Sequence, residues 1–376
     1  MTNLEKNPEE TICENGPRFT EGLTPGVRRE SADDAAGNSV VEVLEPRDVP
    51  LGGPRAMTVR RTLPQRARSL VGAWCFLDFF GPDDVAESGG MQVARHPHTG
   101  LATVSWLFEG RVDHIDSAGN WATVRPGEVN LMNAGRGITH SEHSTDDTTV
   151  LHGVQLWYAF PDAHRFTDPS LAHHRPTPIR GDGFEAKVFL GSLLGYTSPV
   201  PTYLPLTGAE IRLEPGAELV VEVPAEHEHG VLAVSAALQL NGVTVEKDHL
   251  GVVDDGATRL TITAGDEPTL AVLIGGEPLG EQIVMWWNFI GRSHEEILTF
   301  RAAYQQEMGF EAPAEGSPIP AGHPRGAAIA GPDLDALIGM QYDDGRSFPQ
   351  FGEFPPGRPA PLPAPEPPNT RMRPRG

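Results

Sequence analysis

Cysteine is almost missing from this chain: Cys13 and Cys75 are the two among 376 residues, one in a polar head and one in an expected strand. No disulfide framework can rest on such a pair, and the chain suits a reducing compartment. Basic residues are also short, 29 Lys and Arg against 51 Asp and Glu, for a formal net charge of −22. Affinity for phosphate comes largely from Lys and Arg, so this balance argues against direct contact with nucleic acid or an anionic membrane surface. No stretch approaches the ~18 consecutive apolar residues of a spanning helix. Nor does Met1 to Pro8 hold the charged start and apolar run of a secretory leader. From these shortages a cytoplasmic protein is expected, one that meets DNA, if at all, through a partner.

Helical periodicity is scarce too, and what replaces it is β-type. Short apolar runs at 103–108, 128–132, 150–157, 219–223, 231–238 and 269–274 are separated by Gly, Pro, Asn and Asp turns. Strands at this spacing indicate barrels or sandwiches. Asn241-Gly242 after Leu238-Gln239-Leu240 is a tight hairpin signal. Its position is expected to match that of Glu109-Gly110 in the first half, which makes the second half a diverged copy of the first. One helix is expected: Ser293-His294-Glu295-Glu296 reads as a capping box, Ile297, Phe300, Tyr304 and Met308 follow at helical spacing, and Gly309 is the stop. This stripe is assigned to packing against a barrel.

Residues 1–45 are polar and poor in aromatics, a composition expected to stay disordered because it cannot offset its ordering entropy. Beyond residue 312 lie 15 of the 36 prolines, with Pro359, Pro361, Pro363, Pro365 and Pro367 at alternate positions. That forbids a sheet and favours extended polyproline geometry. A solvated tail and a tail docked on a barrel both fit this composition.

The most informative residues are two short pieces, His96-Pro97-His98 and Ala134-Gly135-Arg136-Gly137-Ile138-Thr139-His140-Ser141-Glu142. In each, two potential metal ligands stand two residues apart, and on a strand such residues share a face. Three imidazoles and a carboxylate, His96, His98, His140 and Glu142, can hold a first-row divalent metal with positions left open. The ligand type favours Fe(II), with Mn, Co, Ni or Zn as other occupants. The gap from 98 to 140 excludes a compact zinc finger and suits a barrel that makes distant strands neighbours. Pro97 removes a ladder hydrogen bond, so its strand is expected at an edge or bulge.

Other candidates are assigned structural roles. Gly135 and Gly137 suit a turn, and Arg136 between them is expected to pair with a carboxylate rather than a substrate. His227-Glu228-His229 is a second His-x-His, yet 260–263 and 269–274 contain no histidine and His249 falls in a loop-like stretch, so the second half is expected to be metal-free. His114 and His152 are expected to hydrogen-bond in a turn and along a strand. No phosphate-loop spacing, nucleophile elbow or CxxC motif is present.

The pattern Gly90, His96, His98, Gly110, then Pro126, Gly127, Gly137 and His140, resembles the two motifs of the cupin superfamily. The match narrows to the pirin family. Arg61-Thr62-Leu63-Pro64, Phe76-Leu77-Asp78-Phe79-Phe80-Gly81-Pro82, His96-Pro97-His98-Thr99-Gly100, His114-Ile115-Asp116-Ser117-Ala118-Gly119-Asn120, Met132-Asn133-Ala134-Gly135-Arg136-Gly137-Ile138 and Leu151-His152-Gly153-Val154-Gln155-Leu156-Trp157 follow the pirin pattern in pirin order. Gly275 to Glu281 and Met285 to Ile290 resemble the end of its second barrel, so the resemblance spans roughly residues 50 to 310.

The resemblance implies an all-β fold of two tandem cupin (jelly-roll) barrels with a short C-terminal helix. The expected division is a disordered tail over 1–45, a metal-bearing barrel over 46–165, a linker over 166–180, a metal-free barrel over 181–311 and a Pro-rich tail over 312–376. It carries over His96, His98, His140 and Glu142 as ligands of an iron centre, and implies quercetin 2,3-dioxygenase activity on a flavonol with dioxygen. Glu142 would accept the substrate's hydroxyl proton, beside an apolar wall of Phe76, Trp106, Phe108 and Met132. The family also implies a second reading, an iron-containing cofactor of transcription or modulator of a metabolic enzyme that meets a protein partner through its tails. One residue departs from the pattern: Ala102 stands where pirins usually have a glutamate, which removes any ligand-orienting or proton-relaying part that glutamate plays.

Overall fold

The computed structural model describes residues 11–13, 26–31, 40–51, 57–311, 351, 352, 354, 360–372 and 374. Within them the chain builds two barrels of the same design. In the first, seven strands run in the order Ser170–His174, Val129–Asn133, Leu101–Glu109, Val150–Ala159, Trp74–Asp84, Met57–Leu63 and Arg47–Leu51. Facing them are Trp121–Val124, Val112–Asp116, Ile138–Ser144 and Gln92–His98, in that order. In the second, an eight-stranded sheet orders Ile179–Gly181, Phe184–Leu190, Leu206–Leu213, Thr269–Gly276, Glu228–Ala233, Leu250–Val253, Val40–Leu44 and Val27–Ser31. It is faced by Glu218–Glu222, Arg259–Ala264, Leu238–Leu240 and Val243–Val245. All the strand ladders are antiparallel, and the repeated order makes the second half a copy of the first.

The large sheets pack against each other. Leu77, Phe79, Val104, Trp106 and Leu156 of the first barrel meet Phe189, Leu206, Leu232, Val272 and Ile274 of the second in one buried cluster. Trp106 marks the seam: its ring stacks on Phe189 at 4.8 Å and its Nε1 donates to the buried Glu210 at 2.8 Å. A second apolar cluster, including Val221, Val231, Ile262 and Leu273, fills the second barrel.

Two segments differ from the sequence expectation. The head is not structureless where it is described, because Val40–Leu44 pairs with Leu250–Val253 and buries Val41 and Leu44 completely. Glu42 in this run pairs with Arg29 and the buried Arg68, which makes this carboxylate part of the seam. The segment expected as a linker holds Ser170–His174, which pairs with Val129–Asn133 and completes the first large sheet. Residues 1–10, 14–25 and 32–39 of the head and 312–350 of the tail lie outside the described residues.

Asn241 and Gly242 have φ of 48° and 81°, the two positive values a tight two-residue hairpin turn requires, between Leu238–Leu240 and Val243–Val245. In strand order this hairpin corresponds to the one joining Val112–Asp116 to Trp121–Val124, not to Glu109-Gly110 as expected. The helix spans His294–Glu307, and the Ser293 side chain accepts from the Glu296 amide at 3.2 Å. Ile297, Phe300 and Tyr304 are buried as their spacing predicts.

The C-terminal segment, where described, docks. Glu307 accepts from the amides of Phe351 and Gly352, Gln305 from that of Ala364, and the Tyr304 hydroxyl donates to the Leu362 carbonyl at 2.6 Å. The Leu362 amide donates to the Arg95 carbonyl at 2.8 Å, which covers the edge strand Gln92–His98. Among the described residues no helix is long and apolar enough to cross a membrane.

Candidate metal centre

Gln92–His98 and Ile138–Ser144 lie side by side, and their register sets His96 opposite His140 and His98 opposite Ile138. Pro97 sits on the edge strand, where its missing N–H costs no ladder bond inside the sheet. The register slips between His140 and Glu142. His96, His98 and His140 are fully buried and Glu142 is 1% exposed.

Three imidazoles therefore meet inside the first barrel. His96 Nδ1 lies 2.8 Å from the Ala94 carbonyl and His98 Nδ1 lies 3.2 Å from the Asn288 carbonyl. A carbonyl only accepts, so both rings carry their proton at Nδ1 and a lone pair at Nε2. His140 Nδ1 is 3.4 Å from His114 Nδ1, while its Nε2 lies 3.1 Å from His98 Nε2. His96 Nε2 is buried with no hydrogen-bond partner. Burial lowers the pKa of His96 to about 3 and holds His98 and His140 well below the usual histidine range, so all three are neutral at pH 7.

Lone pairs converging in a buried space repel one another unless a cation accepts them. A separation of 3.1 Å also matches the ~3 Å between two imidazole nitrogens bound about 2.1 Å from one metal at a right angle. The donor set thus fits a metal ion on the three Nε2 atoms. Glu142 lies on the same strand as His140, and its Oε1 accepts from the Ser105 hydroxyl at 3.3 Å. His114, His140 and Glu142 form a second close group of potential ligand atoms, within 4.8 Å of one another.

Several sequence assignments need revision here. Ala102 pairs with Asn133 and Tyr158, and Asn133 points outward to Asp168 and Tyr203. The interior face of that strand carries Thr103 and Ser105 instead, the latter touching Glu142. A glutamate at position 102 would face away from the metal, so its loss takes nothing from the ligand set. Trp106 and Phe108 share the outward phase: Trp106 belongs to the seam, and Phe108 packs 4.9 Å from His152. Of the expected wall, Phe76 stacks at 4.0 Å on Trp157, which contacts His98, and Met132 packs with Ile138. Trp157 itself was missed.

Arg136 is buried and pairs with Asp168 at 2.6 Å, as its setting between glycines suggested. Gly135 has φ +47°, and a Cβ there would meet the Thr167 carbonyl oxygen at 2.0 Å. In the second barrel, the strands corresponding to the two ligand strands present Leu219, Val221, Leu260 and Ile262 to the core. Glu228 turns the other way and accepts from the Gly72 amide at 2.7 Å.

This architecture defines the class: a bicupin with a cluster of histidines and a glutamate in its first barrel. The Pirin family model matches residues 56–158 and the Pirin C-terminal cupin domain matches 208–310. Human pirin is 31% identical over 229 residues, 57% of this chain and 77% of that protein. A Pseudomonas aeruginosa protein that bears the provisional name quercetin 2,3-dioxygenase is 37% identical over 261 residues, 69% of this chain and 82% of its own length. The crystal structure of a quercetin 2,3-dioxygenase from Acinetobacter baumannii superposes with a TM-score of 0.72 at 30% identity, covering 89% of this chain and 98% of that one. The chain belongs to the pirin family.

Proposed function

We propose that this chain is a metal-dependent dioxygenase of the quercetin 2,3-dioxygenase type, acting on a flavonol or a related small phenol in the cytoplasm. The observation that carries the reading is the convergence of three neutral, Nδ1-anchored histidines on two adjacent strands, with Glu142 close to one of them, His140. His96, His98, His140 and Glu142 would hold the ion, with Fe(II) favoured by ligand type and Mn, Co, Ni or Zn as other occupants. When bound, it supplies Lewis acidity that lowers the pKa of a coordinated hydroxyl and sites where substrate and dioxygen meet.

The chain's own residues do the rest. Glu142, placed on the inner ligand strand with Ser105 against Oε1, is the base that takes the proton of the flavonol's 3-hydroxyl. Trp157 and Phe76 hold an apolar surface beside His98 against which a planar ring can stack. The outward phase of Ala102 removes the one sequence feature that spoke against catalysis. The names of the relatives support the same substrate class. The test is oxygen consumption on addition of quercetin to the iron-loaded protein, with His140→Ala as the control.

A regulatory reading has one structural feature in its favour. The C-terminal segment is bonded to both ligand strands, since Arg95 donates to the Gly352 carbonyl at 2.7 Å and the Thr139 hydroxyl to the Phe351 carbonyl at 3.2 Å. A protein partner that captured this segment would disturb the strands that carry His96 and His140. Point variants in the segment are the better probe, because deleting 313–376 would also uncover Phe289 and Tyr304, which pack on Phe351.

A further inference from the structure

The stretch His114 to Asn120 stands out in the sequence, yet none of its residues belongs to the proposed ligand set. Its position follows from register: Val112–Asp116 pairs with Ile138–Ser144 so that His114 lies opposite Glu142 and Asp116 opposite His140. Both side chains are buried, His114 at 1% exposure and Asp116 at 0%. Asp116 is fixed from every side. Its Oδ1 accepts from the amides of Ala118 and Asn120, both at 3.0 Å, and the Asn120 side chain reaches both oxygens. Its Oδ2 lies 3.3 Å from His114 Nε2, and His114 Nδ1 lies 3.4 Å from His140 Nδ1.

Protons can be placed along this chain in one consistent way. Asp116 accepts, so His114 carries its proton at Nε2 and offers a lone pair at Nδ1. His140 then donates its Nδ1 proton to His114, which leaves Nε2 as a lone pair pointing at His98. We infer that His114 and Asp116 are positioning residues that brace His140, fixing its tautomer and ring orientation and making it the most strongly donating of the three imidazoles.

His96 and His98 donate to backbone carbonyls, whereas the acceptor behind His140 is an imidazole that a carboxylate polarises. A carboxylate behind a ligating histidine raises that ligand's basicity. His114 does not itself join the three Nε2 atoms, because it meets His140 on the opposite ring nitrogen. The hairpin that follows has its own purpose in this account: its amides pin Asp116, and the Ser117 hydroxyl accepts from the Thr139 amide at 3.0 Å, tying the turn to the strand of His140.

The inference rests on the metal reading above, and the test separates the two. The full chain is stripped of metal and titrated with Co(II), with affinity read by chelator competition and coordination read from the visible absorption bands. Three variants are compared with the parent. His114→Phe removes the acceptor, His114→Asn retains an oxygen near the Nδ1 position, and Asp116→Asn loses the acceptor for His114 Nε2–H.

Affinity is expected to fall about 10- to 100-fold in His114→Phe, about tenfold in Asp116→Asn, and least in His114→Asn. The cobalt bands should shift in the order of the affinity losses, while the metal-free His114→Asn and Asp116→Asn proteins melt with the parent. Parent-like affinity and bands in all three variants would overturn the brace. So would a lower melting temperature of the metal-free variants at unchanged affinity, which is the mark of a purely structural role. A parent that binds no Co(II) would overturn the metal reading itself.

Discussion

His96, His98 and His140 are each held at Nδ1 by a different acceptor, and the common consequence is a set of lone pairs aimed at one buried point. Removing one ring should therefore empty the centre rather than leave a two-histidine site with useful affinity. We expect His98→Ala to lose metal by at least tenfold in affinity at an unchanged fold, measured by metal analysis after dialysis against a buffered metal pool. Ala102→Glu, by contrast, should leave metal affinity unchanged, since position 102 faces Asn133 and Tyr158 on the far side of the strand. A gain or loss of affinity there would contradict the assigned face. The four proposed ligands were legible in the sequence because each pair follows the two-residue period of a strand. His114 was not, because its tie to His140 runs across a ladder whose register only the fold sets. The same limit misplaced Trp106 and Phe108: a motif names residues but not which face of the strand looks inward.

Turns and strand order were read with mixed success. The Asn241-Gly242 turn was plain from two residues, since both adopt the positive φ it needs. Gly242 has no neighbour within 4 Å of a Cβ, so Gly242→Ala tests backbone strain alone and should cost about 1 kcal/mol in chemical denaturation, without effect on metal content. The capped helix was equally legible; the segment it holds was not, because alternate prolines specify an extended chain but not its neighbour. Tyr304→Phe removes the hydroxyl that holds Leu362. We expect a loss of about 1 kcal/mol and faster amide exchange across 360–372, with metal binding intact. The head was misread for a different reason. Val40–Leu44 is a short run of four apolar residues and Glu42 inside polar sequence, and its ladder partner, Leu250–Val253, lies about two hundred residues on.

At the scale of the whole molecule, buried histidines make the metal-free protein sensitive to acid. Burial holds His96 at about 3 and His229 of the second barrel at about 4, while both return to about 6.5 on unfolding. The unfolded chain thus takes up protons that the folded one refuses, and stability must fall as pH drops below 6.5 toward the folded values. Each such histidine contributes a slope of about 1.4 kcal/mol per pH unit. The urea midpoint of the metal-free protein should accordingly drop between pH 7 and pH 5.5, before most carboxylates titrate, and a flat profile would contradict the burial. The two-barrel plan itself was legible from motif order, and its seam was not, because Glu42, Arg68 and Glu228 lie far apart in sequence and meet only when the fold brings them together. The central claim, that the first barrel is a dioxygenase centre, is tested most directly by oxygen uptake when quercetin is added to anaerobically iron-loaded protein, beside His140→Ala with metal content measured on both. Uptake confined to the metal-bearing parent is the predicted result; no uptake from fully loaded parent would contradict it.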